Sequence, residues 1–362
     1  MTDGYDSMPW TTGRGAAQHR RVRYRLFGAS GLRVSELFLG TMTFGEDWGW
    51  GAPPEECRRI FDAYADAGGN VIDTAVNYTD GASERIVGEL LGSQRDHFVV
   101  STKFTLSTDR DDPNASGSHR KNLTRSLELS LRRLGTDRID IYWVHIWDPN
   151  TPIEETMRAL DDAVRAGKVL YIGVSDTPAW VVARANTLAD WRGWSPLVGI
   201  QAPYSLTQRD IERELLPMAE STAMSLAAWS PLAGGILSGK FTRGDIAGAS
   251  RVAAGTISER DLAIARVVQD VADDLGVTSS QVAIAWTTAR SPAVNPIVGA
   301  RRLDQLVDNL GAVDCQLDVE SLRRLDDASA ISLGFPHDFI RDTASFVYGA
   351  AGERVLTRRS RP

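Results

Sequence analysis

Short apolar runs with a β-type pattern recur eight times along this chain, and helical patterns separate them. The runs cover residues 37–40, 70–73, 98–103, 139–145, 169–174, 197–201, 225–230 and 295–298. Strands that alternate with helices in this way build parallel sheets. Eight such repeats predict the α/β class and a closed (β/α)8 TIM barrel. An open doubly wound sheet is the alternative, and the regularity of the repeats favours closure.

Boundary signals mark several of the predicted helices. Leucines at helical spacing predict a helix over residues 118–134, which Gly135 would end. Pro152 at a first helical position predicts a helix over residues 153–166. A Ser or Thr followed three positions later by an acidic residue or Gln predicts helix starts at Thr151 with Glu154, Ser258 with Asp261, and Thr278 with Gln281.

Other segments fall outside the repeat. Residues 24–33, followed by residues 34–39, predict an N-terminal β-hairpin that lies across the bottom of the barrel and leads into the first strand. The glycine-rich residues 234–255 follow the seventh strand, and extra helices are expected toward the C-terminus. The predicted organisation is a disordered extension over residues 1–23, a barrel domain over residues 24–338 and a tail over residues 339–362.

Composition argues against several classes of protein. An apolar content of 43% in 362 residues is enough for one large core. The net charge of −7 argues against a nucleic-acid partner, and no apolar run approaches the roughly 18 residues of a membrane span. Cys57 and Cys315 lie far apart without metal-type spacing. We therefore expect a cytoplasmic protein with no metal site, and the oligomeric state stays open.

Titratable side chains stand at or just after the ends of three successive strand-like runs. Asp73 closes the second run and Tyr78 follows five positions later, whereas Lys103 and His145 close the third and fourth. Because a parallel sheet gathers the carboxyl ends of its strands on one edge, we expect these four side chains to converge. Such a group of acids and bases is typical of a catalytic site.

The motifs around these residues resemble those of the aldo-keto reductase family. The resemblance covers about residues 24–338 and rests on Gly40-Thr-Met42, Asp73-Thr-Ala-x-x-Tyr78, Lys103, His145-x-x-Asp148, Gly173-Val-Ser-Asp176, Gln201-x-x-Tyr204, Trp229-Ser-Pro-Leu232 with Gly239-Lys240, and Ile297-Val-Gly-Ala300 with Gln305 and Asn309. Within the family, the chain resembles a bacterial type near the branch of channel β-subunits and general stress proteins.

The resemblance implies a catalytic tetrad that reduces a carbonyl group. Asp73 would keep Lys103 charged, and Lys103 would lower the pKa of Tyr78, which for a free tyrosine is about 10. Tyr78 would then act as general acid in reduction or as base in oxidation. His145 would donate a hydrogen bond to the carbonyl oxygen and orient it.

The resemblance also implies an extended nicotinamide dinucleotide across the barrel mouth. The residues implied to bind it are Gly40, Thr41, Met42, Asp73, Ser175, Asp176, Gln201, Trp229, Ser230, Pro231, Leu232, Gly234, Lys240, Gly299, Arg301, Gln305, Asp308 and Asn309. Arg301 suits a 2′-phosphate, because a guanidinium group binds this dianion in bidentate fashion. NADP(H) is therefore the expected cofactor, and NAD(H) is the alternative.

Some positions depart from the family pattern. Asp176 stands where the family usually has Asn, and it accepts hydrogen bonds but cannot donate one while ionised. Gly299 and Ala300 stand where some members have Lys-Ser, and Met42 stands where some relatives carry a larger aromatic residue. Phosphate contacts at this end of the cofactor would then come from Arg301 and backbone amides.

We expect the chain to reduce an aldehyde or a ketone to an alcohol by hydride transfer. Trp48 and Trp50 after the first strand, and Trp147 after the fourth, are candidate aromatic walls of the substrate pocket. A second hypothesis is a biosynthetic reductase of keto- or enoyl-sugar nucleotides, which would have a basic or polar pocket rim. A third is a cofactor-sensing regulatory subunit, against which the intact tetrad argues.

Overall fold

The structure, a computed structural model, describes residues 22–244 and 254–349. The strands in these residues are β1 Tyr24–Leu26, β2 Arg33–Ser35, β3 Phe38–Gly40, β4 Val71–Asp73, β5 Val99–Phe104, β6 Ile139–Val144, β7 Val169–Ser175, β8 Leu197–Pro203, β9 Ser225–Trp229 and β10 Val294–Gly299. The α-helices are α1 Pro54–Asp66, α2 Ala82–Leu91, α3 Arg120–Leu134, α4 Ile153–Arg165, α5 Ala179–Arg192, α6 Leu215–Ser221, α7 Glu259–Leu275, α8 Ser279–Arg290, α9 Leu303–Leu310, α10 Val319–Ala328, α11 His337–Asp342 and α12 Ala344–Tyr348.

Strands β3 to β10 form one closed parallel barrel in the order β10-β3-β4-β5-β6-β7-β8-β9. Strand β10 pairs with both β3 and β9, through Ile297 opposite Phe38 and Val294 opposite Leu226. This closure confirms the predicted barrel and excludes the open sheet. Each predicted run matches one barrel strand to within two residues at either end. The match follows because most residues of these strands are buried, which makes the strands rich in apolar residues.

The predicted hairpin is present, and it closes the N-terminal end of the barrel. Strands β1 and β2 pair antiparallel, with Tyr24 opposite Ser35. Phe27, in the turn, is fully buried, and its ring centroid lies 6.2 Å from that of Trp143 in the barrel interior. Gly28 has a positive φ of 58°, and a Cβ there would lie 2.1 Å from the Val198 carbonyl oxygen. Only glycine therefore lets the turn lie this close to the strand ends.

Two of the three predicted helix caps form. The hydroxyls of Ser258 and Thr278 accept hydrogen bonds from backbone N–H groups at the starts of α7 and α8. The cap predicted at Thr151 is wrong, because its hydroxyl donates to Asp148 at 2.6 Å. A carboxylate is a strong acceptor for the hydroxyl proton, so the Thr151 side chain is held by Asp148 and accepts no hydrogen bond from the N–H groups of α4. Pro152 accordingly occupies the cap position just before α4.

Parts of the expected organisation lie outside the described residues. These parts are residues 1–21 of the expected extension, residues 245–253 of the expected glycine-rich loop, and residues 350–362 of the expected tail. Helices α10, α11 and α12 supply the expected extra helices near the C-terminus. Among the residues that the structure describes, none of the helices is long and apolar enough to cross a bilayer. The cytoplasmic location stays a prediction.

Candidate active site

Asp73 and Lys103 form a buried ion pair at the carboxyl ends of neighbouring strands. Lys103 Nζ lies 2.5 Å from Asp73 Oδ2, and both side chains are almost entirely buried. Lys103 also donates to the Thr74 carbonyl oxygen at 2.8 Å. The other Asp73 oxygen accepts from Ser101 Oγ at 2.7 Å and from Gln201 Nε2 at 2.9 Å. A buried charge is costly unless it is paired and hydrogen-bonded. These contacts therefore offset the cost of burying the two charges.

Tyr78 lies on the segment between β4 and α2, with its hydroxyl directed at Lys103. Lys103 Nζ lies 3.2 Å from the Tyr78 hydroxyl oxygen and 4.7 Å from the ring centroid. Burial raises the pKa of Tyr78 above its ordinary value, and the nearby charge of Lys103 acts in the opposite direction. Lys103 thus acts as expected, but the predicted net lowering is wrong because burial outweighs it. The phenol is neutral at neutral pH and can donate its proton.

The Lys103 ammonium stays charged despite its burial. Burial alone would lower the pKa of Lys103, but attraction by Asp73 and Tyr78 is stronger in sum and raises the pKa. A permanent positive charge therefore stands beside the Tyr78 hydroxyl, where it can stabilise a tyrosinate.

His145 follows β6 and lies beside Tyr78. The two ring centroids are 5.8 Å apart. Burial, together with the charge of Lys103, lowers the pKa of His145 to about 3. Its Nδ1 atom is buried and has no hydrogen-bond partner among the described residues. A neutral imidazole carries one N–H group, so His145 can donate a hydrogen bond to a ligand but is not a proton donor at neutral pH.

These side chains meet at a cavity of about 550 Å³ in the barrel mouth. Asp73, Tyr78 and His145 line it, while Lys103 lies behind Tyr78. The predicted cofactor residues that line it are Gly40, Met42, Asp73, Ser175, Asp176, Gln201, Trp229, Ser230, Pro231, Leu232, Gly234, Lys240, Gly299, Arg301, Gln305, Asp308 and Asn309. Thr41 is absent from this lining, because its fully buried hydroxyl donates to the Asp73 carbonyl oxygen at 3.0 Å.

Asp176 and Trp229 form a polar contact in the cavity wall. Trp229 Nε1 donates to Asp176 Oδ1 at 3.2 Å, and the indole remains 36% exposed. Burial raises the pKa of the Asp176 carboxyl, against the effect of this hydrogen bond. Asp176 has a positive φ of 43°, a conformation that Asp and Asn adopt more readily than most residues. The carboxylate therefore holds the indole of Trp229 at the open side of the cavity.

Another part of the cavity wall comes from the segment after β10. The Arg301 backbone N–H donates to Gln305 Oε1 at 3.0 Å, which fixes the start of this segment. Asp308 Oδ1 accepts from Thr278 Oγ1 at 2.8 Å and from Gln281 Nε2 at 3.0 Å. Arg302 lies apart from the cavity lining and forms an exposed ion pair of 2.9 Å with Asp304.

One of the three tryptophans expected as substrate walls lines the cavity. Trp48 lines it, and its ring centroid lies 6.5 Å from that of Tyr78. Trp50 is outside the lining and packs on Trp48, with 5.8 Å between the ring centroids. Trp147 also lies outside it and packs edge-on against Trp180 at 5.9 Å. Neither of these two residues forms part of the cavity wall.

The cavity also contains residues that the sequence did not assign to the site, although Ile297, Val298 and Ala300 belong to one of the motifs quoted above. They are Thr43, Asn77, Leu106, Gly235, Ser238, Ser280, Ile297, Val298 and Ala300. Leu106 and Ala300 come just after β5 and β10, and Asn77 precedes Tyr78. Their position at carboxyl strand ends was the signal available for them. Ser280 lies in α8, and no local sequence signal points to it.

Comparison with protein families agrees with this geometry. A model described as the aldo/keto reductase family matches residues 36–330. The chain belongs to the aldo/keto reductase family. As an aldo/keto reductase it is an oxidoreductase that interconverts carbonyl and alcohol groups with a nicotinamide dinucleotide.

Three curated relatives are similar to this aldo/keto reductase over most of both chains. Norsolorinic acid reductase from Aspergillus flavus is 37% identical over 335 residues, which cover 89% of this chain and 85% of the relative. Aryl-alcohol dehydrogenase [NADP(+)] from Phanerodontia chrysosporium is 37% identical over 351 residues, covering 89% and 90%. Norsolorinic acid reductase B from Aspergillus parasiticus is 38% identical over 332 residues, covering 88% and 87%. These relatives are fungal and give no support to the expected bacterial channel-subunit branch.

Proposed function

We propose that this chain reduces aromatic aldehydes or ketones with NADPH, and that Tyr78 is the proton donor. The observation that carries the proposal is the position of Tyr78, whose hydroxyl lies 3.2 Å from the buried Lys103 ammonium and which lines the cavity at the barrel mouth. A neutral phenol beside a fixed positive charge is suited to give up a proton to a developing alkoxide.

Each residue of the tetrad has its own role in the reduction of the carbonyl group. Tyr78 donates its proton to the carbonyl oxygen, and the Lys103 ammonium stabilises the tyrosinate that remains. Asp73 keeps Lys103 charged and in place through the 2.5 Å contact. The neutral His145 ring donates a hydrogen bond to the same carbonyl oxygen and fixes its direction. In the reverse reaction Tyr78 takes up the proton of the alcohol.

The residues of the cavity fit a phosphorylated dinucleotide. NADPH, when bound, supplies the hydride. Within the described lining the cationic side chains are Lys240 and Arg301. Gly235 has a φ of 96°, and a Cβ there would lie 2.8 Å from Lys240 Nζ, so its glycine leaves room beside this ammonium group. We assign Lys240 to the pyrophosphate and Arg301 to the 2′-phosphate, which favours NADP(H) over NAD(H).

Two observations support an aromatic substrate. Trp48 lies beside Tyr78, and Met42 and Leu106 add apolar surface to the same cavity. Aromatic rings pack well against such surfaces. Two of the relatives are named for aryl-alcohol dehydrogenase and norsolorinic acid reductase activities. The sugar-nucleotide hypothesis asked for a basic or polar rim; the cationic lining residues Lys240 and Arg301 are here assigned to the cofactor, and these three side chains are apolar.

A substrate panel tests the proposal. NADPH oxidation would be followed with benzaldehydes, aryl ketones, straight-chain aldehydes and a ketosugar nucleotide, using Tyr78→Phe as the matched inactive variant. We expect the highest kcat/KM with the aryl carbonyls. Turnover confined to the sugar nucleotide would overturn the aromatic assignment, and absence of turnover despite tight NADPH binding would favour the regulatory subunit.

A further inference from the structure

Behind the catalytic residues lies a buried carboxylate that the proposed reaction does not use. Glu84, in the first turn of α2, is fully buried. Its Oε1 atom accepts from Thr102 Oγ1 at 2.7 Å, and its Oε2 atom lies 3.2 Å from Arg133 Nη1. Thr102 immediately precedes Lys103 in β5. Glu84 thus joins the strand that carries Lys103 to a side chain from α3.

Arg133 extends this network to the segment that carries Tyr78. Its Nη1 atom donates to the Val76 carbonyl oxygen at 2.6 Å. The Val76 N–H donates in turn to the Lys103 carbonyl oxygen at 3.1 Å. Val76 is therefore held on one side by the Lys103 strand and on the other by the guanidinium of Arg133, two residues before Tyr78.

The Tyr78 segment has a backbone that needs such support. Thr79 and Asp80 have positive φ angles of 44° and 52°, and Gly81 follows at 87°. Two successive non-glycine residues in this region are disfavoured and persist only where the surroundings hold them. A Cβ at Gly81 would lie 2.2 Å from Arg133 Cζ. Glycine at this position is what lets the guanidinium lie against the segment.

We propose that Arg133 and Glu84 are positioning residues that set the distance between the Tyr78 hydroxyl and Lys103. Glu84 fixes the Lys103 strand through Thr102 and fixes the Tyr78 segment through Arg133 and Val76. Arg133 and Glu84 lie outside the cavity lining, so they act through these neighbours. The inference rests on the proposed role of Tyr78.

Stability alone does not explain why this pair is buried. The Arg133 side chain is 18% exposed and that of Glu84 is not exposed, so both charges lose most of their hydration. Apolar residues of similar volume often replace a buried ion pair without loss of stability. What apolar residues cannot supply is a donor for the Val76 carbonyl oxygen together with an acceptor for the Thr102 hydroxyl.

The test compares Arg133→Met and Arg133→Lys with a matched ion pair elsewhere. Arg95 pairs with Asp140 at 2.7 Å and donates to the carbonyl oxygens of Phe98 and Arg138, at the opposite ends of β5 and β6 from Lys103 and His145. Arg95→Met therefore removes a comparable pair without touching the Tyr78 segment. Each variant would be measured for thermal unfolding, kcat, KM and the pH profile of turnover.

We expect Arg133→Met to lower kcat roughly tenfold to a hundredfold with little change in KM, as misplaced catalytic groups do. Because Lys103 lowers the pKa of Tyr78, a longer distance between them should move the alkaline limb of the profile to higher pH. Arg133→Lys should recover part of kcat, since its ammonium can still donate to Val76. Arg95→Met should lower the unfolding temperature but keep kcat and the profile.

Folded Arg133→Met with wild-type kcat and pH profile would overturn the inference, as would an equal loss of kcat in Arg95→Met. If Arg133→Met does not fold, Thr102→Val provides the test. This variant removes the hydroxyl that donates to Glu84 and leaves both charges in place. An unchanged profile and kcat in Thr102→Val would then reject the role of Glu84. Absorbance titration of Tyr78 in the protein without cofactor, with Tyr78→Phe as blank, reads the same pKa change independently of turnover. This titration distinguishes a failure of the positioning role from a failure of the proposed reaction.

Discussion

The Tyr78 hydroxyl oxygen and the Lys103 ammonium nitrogen lie 3.2 Å apart at the end of the barrel where the cavity opens. Two opposing effects act on the phenol at this distance. Burial raises the pKa of Tyr78, and the charge of Lys103 limits that rise. The tyrosine is therefore protonated at neutral pH, while the product of its ionisation has a cation beside it. Both properties are useful in a general acid.

Replacement of Tyr78 by Phe tests this role directly. The ring of Tyr78→Phe can still pack against its neighbours, but it has no proton to donate. We expect kcat for reduction to fall by roughly 10²–10⁴-fold, the usual contribution of general acid–base catalysis. NADPH binding, measured by quenching of protein fluorescence, should stay nearly unchanged. Turnover close to that of the wild type would refute the assignment of Tyr78.

His145 should make the stability of the protein fall on mild acidification. Its pKa is about 3 in the folded protein, against an ordinary value of 6.5. The unfolded chain therefore takes up a proton as the pH drops below about 6.5, whereas the folded protein does not until about pH 3. Stability due to this group is fully present above pH 6.5 and is lost as the pH falls.

The measurement is urea unfolding of wild type and His145→Gln at several pH values. Between pH 7 and pH 8 the difference in unfolding free energy should be constant. From pH 6.5 to pH 5 the wild type should lose stability relative to the variant, which has no imidazole to protonate. A difference that stays constant down to pH 5 would show that His145 is not held neutral by burial.

The barrel and the positions of the tetrad could be predicted from the sequence because both follow from local pattern. Buried parallel strands are mostly apolar, so a titratable residue such as Asp73 or His145 at the end of a run is conspicuous. Parallel pairing then brings these ends together without any knowledge of side-chain contacts.

Contacts between residues distant in sequence could not be predicted in this way. Arg133 and Glu84 are 49 positions apart, and nothing in either helix pattern indicates that they meet behind Tyr78. The direction of the net pKa change of Tyr78 depends on burial, which only the folded chain reveals. Trp48 and Trp147 occupy similar loops, yet only the first lines the cavity, because loop side chains have no fixed direction.

Arg301 should determine the preference between the two dinucleotides. It lines the cavity, whereas Arg302 is ion-paired with Asp304 outside the lining. Loss of a charged hydrogen-bond partner costs about 1.5–3 kcal/mol, so Arg301→Ala should weaken NADP(H) binding by roughly tenfold to a hundredfold. NAD(H) binding should change little, since NAD(H) has no 2′-phosphate.

Arg302→Ala is the matched control for this variant, because it removes the same charge from the adjacent position. Its effect on either dinucleotide should be small, as exposed ion pairs contribute little. Calorimetric titration of the wild type and both variants with NADP(H) and NAD(H) gives the six affinities needed. Equal weakening of both dinucleotides by Arg301→Ala would make Arg301 a structural residue and remove the main support for NADP(H).

Trp48 should favour aromatic over straight-chain substrates. Its ring lines the cavity with its centroid 6.5 Å from that of Tyr78, and an aromatic pair contributes about 0.5–1.5 kcal/mol beyond the burial of its surface. Trp48→Ala should therefore raise KM for an aryl aldehyde by roughly twofold to tenfold more than KM for a straight-chain aldehyde of similar size.

Trp147→Ala serves as the control, because Trp147 packs on Trp180 outside the lining and should leave this ratio unchanged. A proportional rise for both aldehydes in Trp48→Ala would show that Trp48 supports the loop rather than the substrate ring. If Trp147→Ala alone changed the ratio of the two KM values, Trp147 rather than Trp48 would be the residue that contacts the aromatic ring.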